Sequence, residues 1–134
     1  MTSPLIDAAI EPRREAAREA RQLISGLRDP ALEAILDDIA LLVSELVTNS
    51  FRYGGSQEGE PISLRLSYSG GTVRAEVADA GRGSTLPAPR EPSAGGGGWG
   101  LHIVSHNADR WGAERRAGGT VVWFEIDIDG EQDA

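Results

Sequence analysis

The stretch LLVSELVTNSFRYGG, residues 41–55, decides the fold. Apolar residues recur in it and before it at spacings of three and four, which is the period of one face of a helix. They are Leu32, Ile35, Leu36, Ile39, Leu42, Val43 and Leu46. Asp29-Pro30 predicts the start of this helix, as an N-cap followed by proline at the first helical position. Gly54-Gly55 predicts its end, so we expect one long amphipathic helix between them.

Two polar residues of this helix, Glu45 and Asn49, lie one turn apart beside the apolar stripe. At about 100° per residue, Glu45, Asn49 and Arg52 fall within about 60° of one another beside the apolar stripe, so we expect Glu45 and Asn49 to be half-buried at the rim of the core. The Asn49 amide oxygen is a hard ligand suited to Mg²⁺. Glu45 could take a proton from a hydroxyl or orient it, and Arg52 could pair with a phosphate or with Glu45. Ordinary polar residues at the edge of a core would give the same pattern. The helix alone therefore does not show whether these residues form a functional site.

Composition excludes several classes of protein. The 134 residues predict one compact domain, and the net charge of -8 argues against nucleic acid as the main partner. The chain has no cysteine, which removes disulfides and thiolate sites. All 13 basic residues are arginine, which excludes a P-loop and a Schiff-base lysine. With no apolar run long enough for a membrane span and no visible signal peptide, we expect a cytoplasmic protein.

The remaining elements predict an α+β fold. Residues 13–27 are rich in good helix formers, and helix signals return from Leu101 to about Arg110. Residues 61–79 alternate around Gly70-Gly71, which predicts a β-hairpin, and residues 111–128 predict a second hairpin. We expect a two-layer sandwich with helices on one face of a mostly antiparallel, mixed sheet. Residues 13–129 would form the domain, between an N-terminal segment (1–12) and a C-terminal tail (130–134).

A second polar element, Asp79-Ala80-Gly81-Arg82-Gly83, ends a predicted strand. Asp79 shares the parity of the inward-facing Val73, Ala75 and Val77, and an inward carboxylate is costly unless it is hydrogen-bonded. A ligand with an amino group, such as adenine, would satisfy it. Gly81 and Gly83 would let a ligand approach the backbone closely. A strand that simply ends in a turn would also contain these residue types.

A third element is glycine-rich and opens a helix. Gly98-Trp99-Gly100-Leu101 follows three further glycines, and free N–H groups at a helix start bind anions. A flexible linker is an equal alternative for this stretch alone. Residues 80–98 lack any periodic segment, and structureless loops of this length are usually lids or disordered segments. His102 and His106 have metal-binding spacing, but without a third ligand we expect no metal site there.

Together, these elements resemble the boxes of the GHKL ATPases, which include gyrase, histidine kinases and anti-sigma serine kinases. Glu45-x-x-x-Asn49 resembles their N-box, and Asp79-x-Gly81-x-Gly83 resembles the box that holds adenine. Gly98-x-Gly100 with Leu101 resembles the second glycine box, and Gly118-Gly119-Thr120 the distal G-T element. SELVTNSFRYGG, residues 44–55, is most similar to the stand-alone anti-sigma-factor kinases. The resemblance covers about residues 13–128 and implies the Bergerat-type ATP-binding fold.

The resemblance also implies roles, cofactors and partners. Glu45 would be the catalytic base, Asn49 the Mg²⁺ ligand and Asp79 the adenine anchor. ATP and Mg²⁺ would be the cofactors, with further contacts from Arg52, Trp99 and Thr120 and from the glycine boxes. An anti-sigma antagonist protein and a sigma factor would be the partners, and a homodimer is common in such kinases. Since no lysine supplies positive charge, a catalytically weak nucleotide-dependent switch is the alternative. A Rossmann dinucleotide site is disfavoured, because Pro87, Pro89 and Pro92 follow the glycines where that motif needs a helix.

Overall fold

The computed structural model describes residues 4–53, 59–81, 99–116 and 119–128. It contains an open sheet of five strands in the order β1-β2-β3-β5-β4, and every neighbouring pair is antiparallel. The strands are β1 (Ile6–Ile10), β2 (Ile62–Ser69), β3 (Thr72–Asp79), β4 (Arg110–Arg116) and β5 (Gly119–Asp127). The helices are α1 (Ala16–Ser25), α2 (Leu36–Tyr53) and α3 (Trp99–Asn107). The helices pack on one face of the sheet, which confirms the predicted α+β class.

The central hairpin of β2 and β3 forms where the alternation predicts it. Gly70 and Gly71 have φ values of 61° and 82°. Two positive values at the turn match the type I′ turn that two-residue hairpins favour. The register pairs Ser69 with Thr72 and Leu64 with Val77. Apart from Ala78, which pairs with Ser63, the apolar side chains of the two strands point to the helix-covered face.

The start of α2 differs from the prediction. Asp29 does accept a hydrogen bond at Oδ1 from the Ala31 N–H, at 3.0 Å. A turn and a short 3₁₀ segment (Glu33–Ile35) follow, and the α-helix begins at Leu36. The aspartate thus caps a local turn, which is a common alternative to capping a helix. Pro30 is consequently not the first residue of α2, as the sequence pattern predicted.

The core lies between the helices and the covered face of the sheet. Leu42, Leu46 and Val47 of α2 are fully shielded from solvent or nearly so, as are Val77 of β3 and Phe124 of β5. Helix α2 contacts α1, α3, β2 and β3, so it is the central element of the helical layer. Polar residues on α2 near its C-terminal half are therefore held in place from several sides.

Among the strands and α-helices that the structure describes, β1 is the one that the sequence pattern did not predict. It consists of only five residues, IDAAI, and extends the sheet beside β2. Ile6 and Ile10 are buried, while Ala8 between them is half-buried. The proposed boundary at residue 13 leaves this strand outside the domain although it belongs to the sheet. So short a segment with small residues gives little alternation to detect.

Candidate active site

Helix α2 places Glu45 and Asn49 where the helical period predicts. Both side chains are half-buried, while Arg52 is exposed near the end of the helix. Their neighbours Leu46 and Val47 belong to the core. The polar pair thus lies at the rim of the helical layer, where side chains can reach a ligand and remain held by packing.

Asp79 ends β3 with its side chain inward and only 9% of it exposed. Its Oδ2 accepts a hydrogen bond from the Ser50 hydroxyl at 2.7 Å, and its Oδ1 accepts one from the Gly81 N–H at 2.8 Å. These two bonds offset part of the cost of burying a carboxylate. They also fix its orientation. An ionised carboxylate has about four lone-pair sites, so acceptor capacity remains for the amino group of a ligand.

The backbone around Asp79 is packed so tightly that two positions must be glycine. Gly81 has a φ of 67°, and a Cβ atom there would lie 2.8 Å from Thr120 Oγ1. A Cβ atom on Gly119 would collide with the Asp79 carbonyl oxygen. The end of β3 and the start of β5 therefore touch through their main chains. This contact brings the buried Thr120 opposite Asp79 in the register.

A row of three residues crosses the covered face at this end of the sheet. Asp79 pairs with Thr120 on β5, and Thr120 pairs with Arg115 on β4. The Arg115 guanidinium donates a hydrogen bond from Nη1 to the Gly81 carbonyl oxygen at 3.3 Å. The carboxylate of Asp79, the hydroxyl of Thr120 and the guanidinium of Arg115 thus lie side by side near Gly81.

Sequence reasoning identified Asp79, Gly81 and Thr120 but missed Ser50 and Arg115. A signal existed for both residues. Ser50 continues the buried stripe of Val43, Leu46 and Val47, where a polar side chain needs a partner. Arg115 shares the inward parity of Trp111 and Ala113 on β4. In each case, a polar residue at a core-facing position marks the site better than a motif does.

The glycine-rich elements are described only in part. Helix α3 begins at Trp99, so Trp99, Gly100 and Leu101 form its first turn and α3 packs against α2. The first N–H groups of a helix are free to bind an anion. Gly83, Gly98 and the predicted lid (84–98) lie outside the described residues. Among the residues that the structure does describe, no cluster of three His, Cys, Asp or Glu could hold a metal ion.

A family model matches most of this chain. Residues 8–126 match the model of the histidine kinase-like ATPase domain. The chain belongs to this family, and the resemblance seen in its sequence motifs is thereby confirmed. The matched range includes most of β1, in agreement with the five-stranded sheet. No curated protein shows significant similarity to the chain.

Solved structures with the same fold include domains of Rv1364c and a blue-light activated histidine kinase. The RsbU and RsbW domains of Rv1364c from Mycobacterium tuberculosis share 22% identity at a TM-score of 0.66, over 95% of this chain and 33% of that one. The blue-light activated histidine kinase EL346 of Erythrobacter litoralis shares 26% identity at a TM-score of 0.55, over 75% of this chain and 33% of that one. The histidine kinase domain of EL346 shares 20% identity at a TM-score of 0.57, over 94% of this chain and 68% of that one. The chain thus spans about a third of the length of the first two structures.

The site fits the ligand of this family. Histidine kinase-like ATPase domains bind ATP, usually with Mg²⁺. A fixed carboxylate beside a buried hydroxyl is a suitable partner for the amino group of adenine. Gly81 and Gly119 let the main chains of β3 and β5 approach each other beside this carboxylate. Within the described residues, no helix is both long and apolar enough to span a membrane.

Proposed function

We propose that the chain is a serine/threonine protein kinase of the anti-sigma type, which binds ATP and Mg²⁺ and phosphorylates an antagonist protein. By this phosphorylation it would control the release of a sigma factor. The observation that carries the proposal is the Asp79 carboxylate, held by Ser50 and Gly81 at 2.7 and 2.8 Å. The RsbW domain of Rv1364c, which has the same fold, supports the anti-sigma assignment.

The two half-buried residues of α2 would have separate tasks. The Asn49 amide oxygen is neutral and hard, so it would hold Mg²⁺. That ion would neutralise charge on the phosphates. Glu45 would act on the hydroxyl group of the antagonist protein. It would not contact the triphosphate, because two negative groups repel each other. Its carboxylate would take the proton of the acceptor hydroxyl as the oxygen forms a bond to the γ-phosphorus and ADP leaves.

Further contacts would come from the groups around these residues. Asp79 would accept a hydrogen bond from the adenine amino group, with Thr120 beside it, and the backbone at Gly81 and Gly83 would approach the base closely. The first turn of α3, with Gly98 to Leu101, would face the phosphates through its N–H groups. Arg52 would supply positive charge from the end of α2. A homodimer is consistent with the anti-sigma assignment.

Calorimetric titration with ATP and a non-hydrolysable analogue, with and without Mg²⁺, tests the binding part. Asn49→Ala should weaken binding when Mg²⁺ is present and have little effect without it. Glu45→Ala should keep most of the affinity and reduce transfer to an antagonist protein by about a hundredfold or more. Glu33→Ala removes an exposed carboxylate from the turn before α2 and serves as the control.

The alternative function is a nucleotide-dependent binding switch that transfers phosphate poorly. The composition favours it, because every basic residue is arginine and no lysine can approach the phosphates. A parent protein that binds ATP with Mg²⁺ but phosphorylates no antagonist would establish the switch and remove the catalytic role of Glu45. A folded parent that does not bind ATP would overturn both functions.

A further inference from the structure

A groove separates the outer surfaces of α1 and α2. Its volume is about 480 Å³. On the α2 side, Asp37, Leu41 and Glu45 line it at intervals of four residues, so they form one continuous helix face. At 1.5 Å per residue, this face is about 12 Å long. An extended chain rises about 3.3 Å per residue, so the groove has the length of a segment of about four residues.

The α1 wall of the groove carries two cations, Arg18 and Arg21. Both are exposed, and neither makes an ion pair with a carboxylate in the part of the chain that the structure describes. Five of the other nine arginines that the structure describes do have carboxylate partners. These are Arg13, Arg65, Arg74, Arg110 and Arg116. Two arginines three positions apart on one helix, with no carboxylate partner among the described residues, make this wall suited to an acidic ligand.

Glu45 belongs both to this groove and to the proposed site. It lines the groove, and it lies one turn before Asn49 on the same helix. A chain segment in the groove would therefore pass the carboxylate that accepts the proton. Leu41, with 46% of its surface exposed, offers the segment an apolar contact. Asp37 and Glu45 repel acidic side chains from the α2 wall and so direct them toward α1.

We propose that this groove receives the hydroxyl-bearing segment of the acceptor protein, and that acidic residues within about four positions of the hydroxyl bind Arg18 and Arg21. This inference rests on the proposed kinase function and specifies its protein substrate. The acceptor is recognised by charge on α1 and presented to Glu45 on α2. Recognition of the acceptor is thereby separate from nucleotide binding at Asp79.

The test uses two synthetic nonapeptides with ATP and Mg²⁺. One has a central serine flanked by glutamates, and the other has the same serine flanked by arginines. The parent should phosphorylate the acidic peptide about tenfold faster or more, since each charge-assisted hydrogen bond is worth about 1.5–3 kcal/mol. The double variant Arg18→Glu, Arg21→Glu should reverse this preference. Its affinity for ATP should equal that of the parent.

The control is the double variant Arg14→Glu, Arg28→Glu. It has the same net charge, and both of its sites are exposed and lie outside the groove. It should keep the preference of the parent for the acidic peptide. A preference that changes equally in both double variants would reflect net charge alone and would overturn the inference.

Other results are also decisive. Equal rates with the two peptides would overturn the groove as the acceptor site. Phosphorylation of neither peptide, nor of an antagonist protein, by a parent that binds ATP would establish the switch and remove this inference together with the kinase function on which it rests. If ultracentrifugation shows a parent dimer that Arg18→Glu, Arg21→Glu dissociates, the groove holds a second copy of the chain and the inference is wrong. A parent that fails to bind ATP would instead remove the proposed function itself. Arg-dependent preference for the acidic peptide, with the same oligomeric state in the parent and the variant, would support the inference.

Discussion

The two faces of the sheet hold charge in opposite ways. The open face carries a ladder of exposed or half-exposed ion pairs that joins β3, β5 and β4. It includes Arg74 with Glu125, Arg110 with Glu125 and Asp127, and Arg116 with Glu76. Arg74 also stacks on Trp123, with 4.3 Å between the guanidinium carbon and the ring centroid. On the covered face, the strand residues that the structure describes include only two charged side chains, Asp79 and Arg115.

This difference shows that the number of charges does not locate the site. Exposed ion pairs contribute about 0–1 kcal/mol each, and those of the open face satisfy one another. A carboxylate within the covered layer costs more to bury and needs hydrogen-bond donors there. Asp79 is that carboxylate. It accepts hydrogen bonds from Ser50 and Gly81, and its oxygens can still accept a further hydrogen bond from a ligand. We therefore expect changes on the covered face to affect ATP binding and changes on the open face to affect stability alone.

The largest expected effect comes from Asp79→Asn, compared with Asp127→Asn on the open face. Asparagine nearly preserves the shape but removes the charge that the adenine amino group would meet. Affinity for ATP should fall about ten- to a hundredfold, the equivalent of a charge-assisted hydrogen bond of about 1.5–3 kcal/mol. Asp127→Asn should leave affinity unchanged. Calorimetry on folded variants measures both, and equal affinities for the two would refute the anchor role of Asp79.

A second comparison uses two glycines, Gly119→Ala at the site and Gly112→Ala beneath Trp123. The new Cβ at 119 would meet the main-chain carbonyl of Asp79, whereas the one at 112 would lie 2.8 Å from the Trp123 ring. A half-exposed ring can turn away, but paired backbone cannot. Gly119→Ala should therefore lower the free energy of unfolding by about 1–3 kcal/mol and weaken ATP binding. Gly112→Ala should destabilise less and leave binding intact, as denaturant unfolding and calorimetry would show.

Ser50→Ala should have a smaller effect on binding. It removes one of the two donors that orient the Asp79 carboxylate. A hydrogen bond of about 0.5–1.5 kcal/mol corresponds to a loss of about three- to tenfold in affinity for ATP. Ser44→Ala on the same helix is the control, since Ser44 donates to the Leu41 carbonyl at 2.8 Å and does not contact Asp79. A similar loss in both variants would mean that α2 was disturbed as a whole.

The sequence predicts most of the fold because its strong signals are local. The apolar stripe on α2 and the alternation in the strands on either side of Gly70-Gly71 can each be recognised within a short stretch of sequence. The helix and the hairpin that they predict are both confirmed. The inward parity of Asp79 is a local signal of the same kind. Strand β1 was missed because five residues with two alanines contain little pattern and depend on pairing with β2.

The parts of the site that were missed depend on contacts between distant residues. The bond from Ser50 to Asp79 joins residues 29 positions apart, and the bond from Arg115 to Gly81 spans 34. The need for glycine at 119 arises from the carbonyl of Asp79 on another strand. No periodicity within one element can indicate these contacts. The roles of Glu45 and Asn49 stay predictions, since half-burial at the rim is compatible with them and does not prove them.

The smallest expected effect concerns the pH dependence of stability on the open face. Hydrogen bonds from Arg110 and then Arg74 lower the pKa of Glu125 below its ordinary value of 4.5. Hydrogen bonds from Arg110 and Thr72 lower the pKa of Asp127 below 3.8. A lowered pKa in the folded state means that these carboxylates stabilise the fold above their ordinary pKa values and lose this contribution as the pH falls through the folded ones.

Arg110→Gln removes the main cause of both shifts. The parent should therefore unfold at a higher denaturant concentration than Arg110→Gln at neutral pH, and this difference should shrink as the pH falls from about 5 toward 2. Affinity for ATP at neutral pH should be the same in both proteins, since Arg110 lies on the face away from the site. A stability difference that stays constant with pH would show that the ladder acts through packing. A loss of ATP affinity would show that the two faces of the sheet are coupled.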